Sequence, residues 1–215
     1  NDGYLDLFIG NESTEKRSHP CELYINQKDG SFTEESSNYN LSSIYGFIKG
    51  VVFGDINNDK WPDLYISVLG GNNLLFKNDF GKFKNISETA GVQGPNFSFP
   101  TWFWDVNNDG FNDILVASYD TRNTKNIAGD FAKELQGEKV RSDTSKLYIN
   151  NGDETFSDQS SAFNIDKSFY AMGSNFGDLD NDGWLDFYIG TGSPEFTSVV
   201  PNRMFRNVDG ISFEE

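Results

Sequence analysis

The chain is short of several residues on which common functions depend. Cys21 is its only cysteine, His19 its only histidine, and methionine appears twice. A single cysteine excludes an intrachain disulfide, so stability has to come from packing or bound ions. Cys21 stands just ahead of the strand-like run Glu22-Leu23-Tyr24-Ile25 and reads as a small packed side chain rather than a reactive thiol. A lone histidine in a loop with Arg17 and Pro20 leaves little room for a His-dependent catalytic triad. Basic residues are scarce: 17 Lys and Arg stand against 33 Asp and Glu, a formal net charge of -16, and none cluster beyond a pair. That argues against nucleic acid and anionic membrane as partners and makes divalent cations the natural counterions. No apolar run approaches the roughly 18–20 residues of a membrane helix, and the opening residues lack a signal-peptide pattern. Asn1-Asp2-Gly3 reads as the middle of a repeat, so the expectation is a fragment or processed product of something longer.

What is abundant is aromatic side chain, at 15% of 215 residues, enough to build a substantial core. Sliding the chain against itself exposes a repeat. Asn1-Asp2-Gly3-Tyr4-Leu5-Asp6 aligns with Asn58-Asp59-Lys60-Trp61-Pro62-Asp63, Asn108-Asp109-Gly110-Phe111-Asn112-Asp113 and Asn181-Asp182-Gly183-Trp184-Leu185-Asp186. Each copy continues into an apolar run, then a second run (Leu23-Tyr24-Ile25-Asn26, Leu75-Phe76-Lys77-Asn78, Leu147-Tyr148-Ile149-Asn150, Met204-Phe205-Arg206-Asn207), a glycine turn and a phenylalanine. Aromatic alternation around glycine turns predicts hairpins. A further strand leads into each of the last three loops, so one unit is a four-stranded antiparallel blade, and the first copy lacks its opening strand. Equivalent aspartates advance by 57, 50 and 73 residues, near the roughly 40–50 of a propeller blade plus insertions. The predicted fold is therefore all-β: a single repeat domain over 1–215 with units near 1–46, 47–97, 98–168 and 169–215. The long step comes from an insertion at 121–145, in which residues 128–135 are expected to form a short helix ended by Gly137. It is either a surface loop or, since long loops in compact folds often carry function, a lid or partner-binding element.

The loops carry the chemistry. A hard cation takes oxygens from alternate positions of a loop whose backbone curls around it. In the fourth copy Asp178, Asp180, Asp182 and Asp186 offer carboxylates and Trp184 its carbonyl, with Gly183 permitting the sharp turn. Asp105, Asn107, Asp109, the Phe111 carbonyl and Asp113 follow the same plan, as do Asp55, Asn57, Asp59, the Trp61 carbonyl and Asp63. Lys60 replaces the glycine in that last loop, adding strain and a positive charge, so it is expected to be the weakest of the three. The first copy keeps only Asp2, the Tyr4 carbonyl and Asp6. Asp, Asn and Gly also form plain turns, but repetition between aromatic strands favours metal. An EF-hand is excluded, because its loop ends in Glu where these copies carry Ile66, Val116 and Ile189. Calcium is expected rather than Mg²⁺, which demands octahedral geometry and keeps its waters.

With these loops the chain resembles the FG-GAP/VCBS repeats of integrin-α-type β-propellers, whose pattern is D-x-[DN]-x-D-G-x-x-D. Cys21-Glu22-Leu23-Tyr24, Phe97-Ser98-Phe99-Pro100-Thr101-Trp102-Phe103, Tyr170-Ala171-Met172-Gly173-Ser174-Asn175-Phe176-Gly177-Asp178 and Pro201-Asn202-Arg203-Met204-Phe205-Arg206-Asn207 are similar to secreted bacterial repeat proteins related to cartilage acidic protein. The resemblance implies a calcium-stabilised propeller, commonly of seven blades, exported to the periplasm, cell surface or beyond. This chain would supply about half of such a ring.

Other candidates are sparse. Arg203 and Arg206 offer a grip for an anion, although alternate spacing on a strand more often pairs such residues with local carboxylates. The serine pairs 36–37, 42–43 and 160–161 read as turns, and sequons begin at Asn11, Asn40, Asn85 and Asn96. The expected function is a non-enzymatic extracellular scaffold or recognition module for protein or glycan, completed by further blades from this or another chain. One alternative is a polysaccharide-acting enzyme using spare carboxylates such as Asp120, Asp130, Glu134 or Glu195. The other is one segment of a surface array.

Overall fold

A computed structural model describes residues 2–122, 126–192 and 199–215. Fifteen strands form one three-stranded and three four-stranded antiparallel sheets among the described residues, each a meander of chain-consecutive strands. The first holds β1 (Leu7–Ile9), β2 (Glu22–Asn26) and β3 (Phe32–Glu34). The second holds β4 (Ile48–Gly54), β5 (Asp63–Val68), β6 (Leu74–Asp79) and β7 (Lys82–Asn85). The third holds β8 (Ser98–Trp104), β9 (Asp113–Ser118), β10 (Lys146–Asn150) and β11 (Phe156–Asp158), and the fourth β12 (Ala171–Gly177), β13 (Asp186–Thr191), β14 (Arg203–Val208) and β15 (Ser212–Glu214). The sheets are arranged as propeller-like blades, and no pairing joins the first to the last among the described residues.

A blade with two apolar faces buries them only between neighbours. Alternation along a strand divides the side chains between the two sides. Leu64 and Ile66 of β5 pack toward the first blade with Leu23, Leu41 and Ile48. Tyr65, between them in sequence, packs toward the third with Phe103, Ile114 and Val116. Leu115 and Ala117 of β9 continue the pattern against Phe187, Ile189 and Phe205 of the fourth. This explains why β5 and β9 read as unbroken buried runs rather than alternating ones. Around the third joint the aromatics pack ring on ring: Trp104 stacks on Phe213 at 5.8 Å and Phe187 on Phe205 at 4.5 Å.

The two ends of the series differ from its middle. Tyr188, Met204 and Leu179 are 39%, 51% and 56% exposed, where their counterparts Tyr65, Leu75 and Ile56 are fully buried. On the first blade Leu7 and Ile9 are 50% and 42% exposed, against 0% for Leu64 and Ile66.

Two glycine positions have steric causes. A Cβ on Gly50 would lie 2.7 Å from Ser67 Oγ and 2.8 Å from the Phe99 carbonyl, because β4 and β8 run close together there. At the hairpin between β6 and β7, Phe80 (φ 50°) and Gly81 (φ 89°) fill both central positions of a two-residue turn.

A single helical turn, α1 (Ser87–Ala90), follows β7, and the helix expected at 128–135 is present as α2, Ile127–Leu135, its N-terminus capped by the Asn126 side chain. It docks on the fourth blade. Arg203 is buried between Glu134 (2.9 Å) and Glu215 (2.6 Å), and its guanidinium lies 5.3 Å from the ring centres of Phe131, Phe169 and Phe205. Arg203 thus pairs with local carboxylates and ties the insertion of one blade to the next. Cys21 is buried, and burial pushes its thiol above the ordinary range, as a packed, unreactive cysteine requires.

Candidate metal centres

Each acidic loop links the first strand of its blade to the second, and hydrogen bonding to its own backbone turns the carboxylates inward. The first aspartate accepts from the amides four and five residues on: Asp55 from Asp59 (3.2 Å) and Lys60 (2.7 Å), Asp105 from Asp109 (3.0 Å) and Gly110 (2.8 Å), Asp178 from Asp182 (3.0 Å) and Gly183 (2.9 Å). The fifth-position aspartate accepts from the amide two further on, Asp59 from Trp61, Asp109 from Phe111 and Asp182 from Trp184. Asp2 repeats this with Tyr4 at 3.0 Å, so the incomplete first copy keeps the local turn.

The curl needs left-handed backbone at positions four and six. Asn58, Asn108 and Asn181 have φ of 60°, 55° and 64°, and Lys60, Gly110 and Gly183 have 71°, 89° and 92°. Lys60 does sit where glycine is preferred, at a strain of about 1 kcal/mol.

The ninth-position aspartates are the buried members. Asp63 receives the N–H of Ile56 (2.9 Å) and of Asn78 (2.8 Å); Asp113 that of Val106 (3.0 Å) and Asn150 (2.8 Å); Asp186 that of Leu179 (2.9 Å) and Asn207 (2.8 Å). One carboxylate thereby clamps the start of its loop to the third strand. Burial raises Asp63 to about 6 and Asp113 to about 7, their backbone hydrogen bonds opposing the rise and the neighbouring loop carboxylates adding to it.

Asparagine amides then link loop to loop. Asn150 Nδ2 donates to the Ile56 carbonyl (2.8 Å) of the preceding blade, and Asn207 Nδ2 to that of Val106 (2.9 Å). In the other direction Asn58 donates to the Gly110 carbonyl (3.1 Å) and Asn108 to that of Gly183 (3.2 Å). These asparagines recur at fixed offsets in the sequence, the signal by which the links were there to be found. A serine latch was missed in the same way. Ser36, Ser87 and Ser160 are buried, and each accepts the N–H of the leucine opening its third-strand run, Leu23, Leu75 and Leu147.

The donor set suits a hard cation. Asp178, Asp180 and Asp186 each offer an oxygen, all within 4.8 Å of one another, and could hold a metal ion. The other two complete loops place an amide, Asn57 or Asn107, at the third position. Basic side chains intrude unequally. Arg206 reaches Asp180 (2.7 Å) and Asp182 (3.4 Å), and its hydrogen bond holds Asp180 below the usual carboxylate range. Lys28 pairs with Asp2 at 2.9 Å, and Lys77 pairs with Glu154 beside Asn57. In the loop at 105–113 the residue matching Lys77 and Arg206 is Ile149.

The remaining candidates are engaged elsewhere. Burial would raise Asp120, but Arg122 (2.9 Å) and the Asp143 N–H (2.9 Å) outweigh it and hold the carboxyl low. Asp130 pairs with Lys133 at 3.1 Å, Glu134 with Arg203, and Glu195 lies outside the described residues. His19 is exposed, its backbone held to Ser13 Oγ.

Fold and loops together define a repeat protein of β-sheet blades joined through acidic turns. The family model of the FG-GAP-like repeat matches residues 1–66 and 105–189, and the chain belongs to that family. FG-GAP repeats are typical of extracellular and surface proteins, commonly recognition or adhesion modules. No curated protein matches the chain. No helix among the described residues is long and apolar enough to cross a membrane.

Proposed function

We propose that the chain is a calcium-binding extracellular recognition module in which the ions are structural. The observation that carries this reading is the double use of Asp186: it lies in the carboxylate cluster with Asp178 and Asp180, and it clamps its loop to the blade by accepting the N–H of Leu179 and of Asn207, a clamp that Asp63 and Asp113 repeat. Calcium in a cage would offset the burial, and with it the lesser charge repulsion, that raises Asp63 and Asp113, so binding and folding are linked. The full cages are Asp55, Asn57, Asp59, Trp61 and Asp63; Asp105, Asn107, Asp109, Phe111 and Asp113; and Asp178, Asp180, Asp182, Trp184 and Asp186. Asp2, Tyr4 and Asp6 form a partial one. Residues 178–186 hold the fullest carboxylate set and also the competing Arg206. Residues 105–113, with Ile149 in the matching place, gain the most from an added ion.

Recognition is assigned to the blade surfaces and variable loops, with a protein or glycan as ligand. The uncovered faces at both ends meet further blades, in a ring of about seven. A polysaccharide-acting enzyme has less support, because Asp120, Asp130 and Glu134 are committed to ion pairs. A segment of a surface array would use the same end faces. Calorimetric titration of calcium, followed by a glycan and protein-partner screen with and without the ion, tests the reading. Saturable calcium uptake and a calcium-dependent ligand are expected; absence of calcium binding, or turnover of a polysaccharide, would overturn it.

A further inference from the structure

The insertion between β9 and β10 differs in charge from the rest of the chain. Residues 122–141 hold five Lys and Arg against three Asp and Glu, in a chain whose formal net charge is -16. The insertion leaves β9 at Ser118 and enters β10 at Lys146. It therefore lies at the end of the third blade opposite the acidic loop that joins β8 to β9. Basic segment and acidic loop are held a full strand length apart.

Within the insertion the chain folds back on its own helix. Gly137 (φ 76°) follows the end of α2, its N–H donating to the Glu134 carbonyl (2.9 Å) and that of Glu138 to the Lys133 carbonyl (3.0 Å). Residues 139–141 return beside the helix, and Asp130, Lys133, Lys139, Val140 and Arg141 line a hollow of about 360 Å³. Three cations face one carboxylate there, and that carboxylate, Asp130, is already paired with Lys133 at 3.1 Å. Lys139 makes no ion pair with any described residue. Glu134, which holds Arg203 and the Ser168 N–H (3.1 Å), and Glu138 lie outside the lining. The wall is anchored from the blade side. Ser142, next to Arg141, shares a hydrogen bond with the Tyr170 hydroxyl (3.0 Å), and Asp143 gives its N–H to Asp120 (2.9 Å). A wall fixed in advance loses little freedom when a ligand arrives.

Cations that converge on a hollow with too little carboxylate repel one another until an anion enters. We propose that this hollow binds the carboxylate or sulfate group of an acidic glycan, with Lys133, Lys139 and Arg141 as donors. Arg141 offers a planar fork to two oxygens and the lysines act as point charges. Small-ligand sites span roughly 300–1,000 Å³, so the hollow suits one compact charged group and the sugar that bears it. No aromatic ring lines it on which a nucleic-acid base could stack. Val140 is its only apolar side chain, which leaves a peptide little to bury. The inference names a ligand class for the recognition module proposed above and rests on that reading.

The test titrates a galacturonate trisaccharide, a sulfated galactose disaccharide and a neutral galactose trisaccharide into the 215-residue chain in calcium, by calorimetry. Saturable one-to-one binding of an acidic sugar, none of the neutral one, and weakening with added salt are expected. Lys139→Glu should weaken binding about tenfold or more while leaving the melting temperature unchanged. Lys84→Glu makes the same charge change on an exposed residue of β7 and should alter binding by less than about twofold. Equal binding of the neutral sugar, or equal losses in the two variants, would overturn the proposal. So would inorganic sulfate or a pentaglutamate peptide that binds as tightly as the acidic sugars. A glycan or protein that binds wild type and Lys139→Glu alike, with neither acidic sugar bound, sinks this inference and leaves the recognition reading standing.

Discussion

Asp113 offers a direct handle on the energetics of the loops. Its carboxyl is fully buried, and burial lifts its pKa from 3.8 to about 7. A carboxyl whose folded pKa is raised stabilises the fold while protonated. That contribution is complete below the unfolded value near 4 and is lost as pH climbs through about 7. The rise from 3.8 to about 7, at about 1.4 kcal/mol per pH unit, corresponds to ~4 kcal/mol as an upper figure. Relaxation of the loop around the charge brings the expected loss to about 2–4 kcal/mol. Urea unfolding in EDTA should therefore show the protein less stable at pH 8 than at pH 5, with Asp63, raised to about 6, adding to the decline. Asp113→Asn removes one titration and sets an amide NH₂ against the N–H of Val106 or Asn150, at about 1–3 kcal/mol independent of pH. Its deficit relative to wild type should be largest at pH 5 and shrink toward pH 8. Saturating calcium, which favours the charged form, should flatten the wild-type decline. Stability in EDTA that is flat or rises from pH 5 to pH 8, or a decline of unchanged size in Asp113→Asn, would refute the reasoning.

Three further outcomes follow from the geometry. Arg206→Met should free Asp180 and Asp182 and tighten calcium binding at residues 178–186 about tenfold, by calorimetry, whereas unchanged or weaker affinity would contradict the competition. Asn207→Ala strands the carbonyls of Val106 and Leu185 and should cost about 2–3 kcal/mol in urea unfolding; a loss below about 0.5 kcal/mol would show that the cross-blade amide is idle. Arg203→Met leaves Glu134 without its cation and Glu215 with Lys167 alone, at about 3 kcal/mol, and should raise hydrogen exchange across α2; unaltered exchange there would show that the helix docks by other means.

Much of this fold was legible because the repeat wrote it four times. Gly30, Gly81, Gly152 and Gly210 mark the last hairpin of each blade, and all four have positive φ. The loop curl was legible for the same reason, down to the strain at Lys60. Burial of the ninth aspartate was not, since Asp63 and Asp113 look like their exposed neighbours until the third strand folds over them. Counting ligands ranks residues 178–186 first, but Arg206 reaches that loop from another strand, and only the folded chain places it there. The asparagine links crossed between blades, so their periodicity was visible while their partners were not. Arg203 showed its preference for carboxylates, but Glu134 and Glu215 approach from opposite ends of the sequence and could not be named from spacing.

If the acidic loops are ion-dependent joints between blades, thermal melting must differ between calcium and EDTA. At calcium about a hundredfold above its dissociation constant, one site adds ~2.7 kcal/mol. For a domain of this size that corresponds to a rise of about 5–11 °C, and more if several loops bind. The melting temperature should be higher in calcium by at least that amount, with Asp105→Asn reducing the difference. Superimposable curves in calcium and EDTA would contradict it.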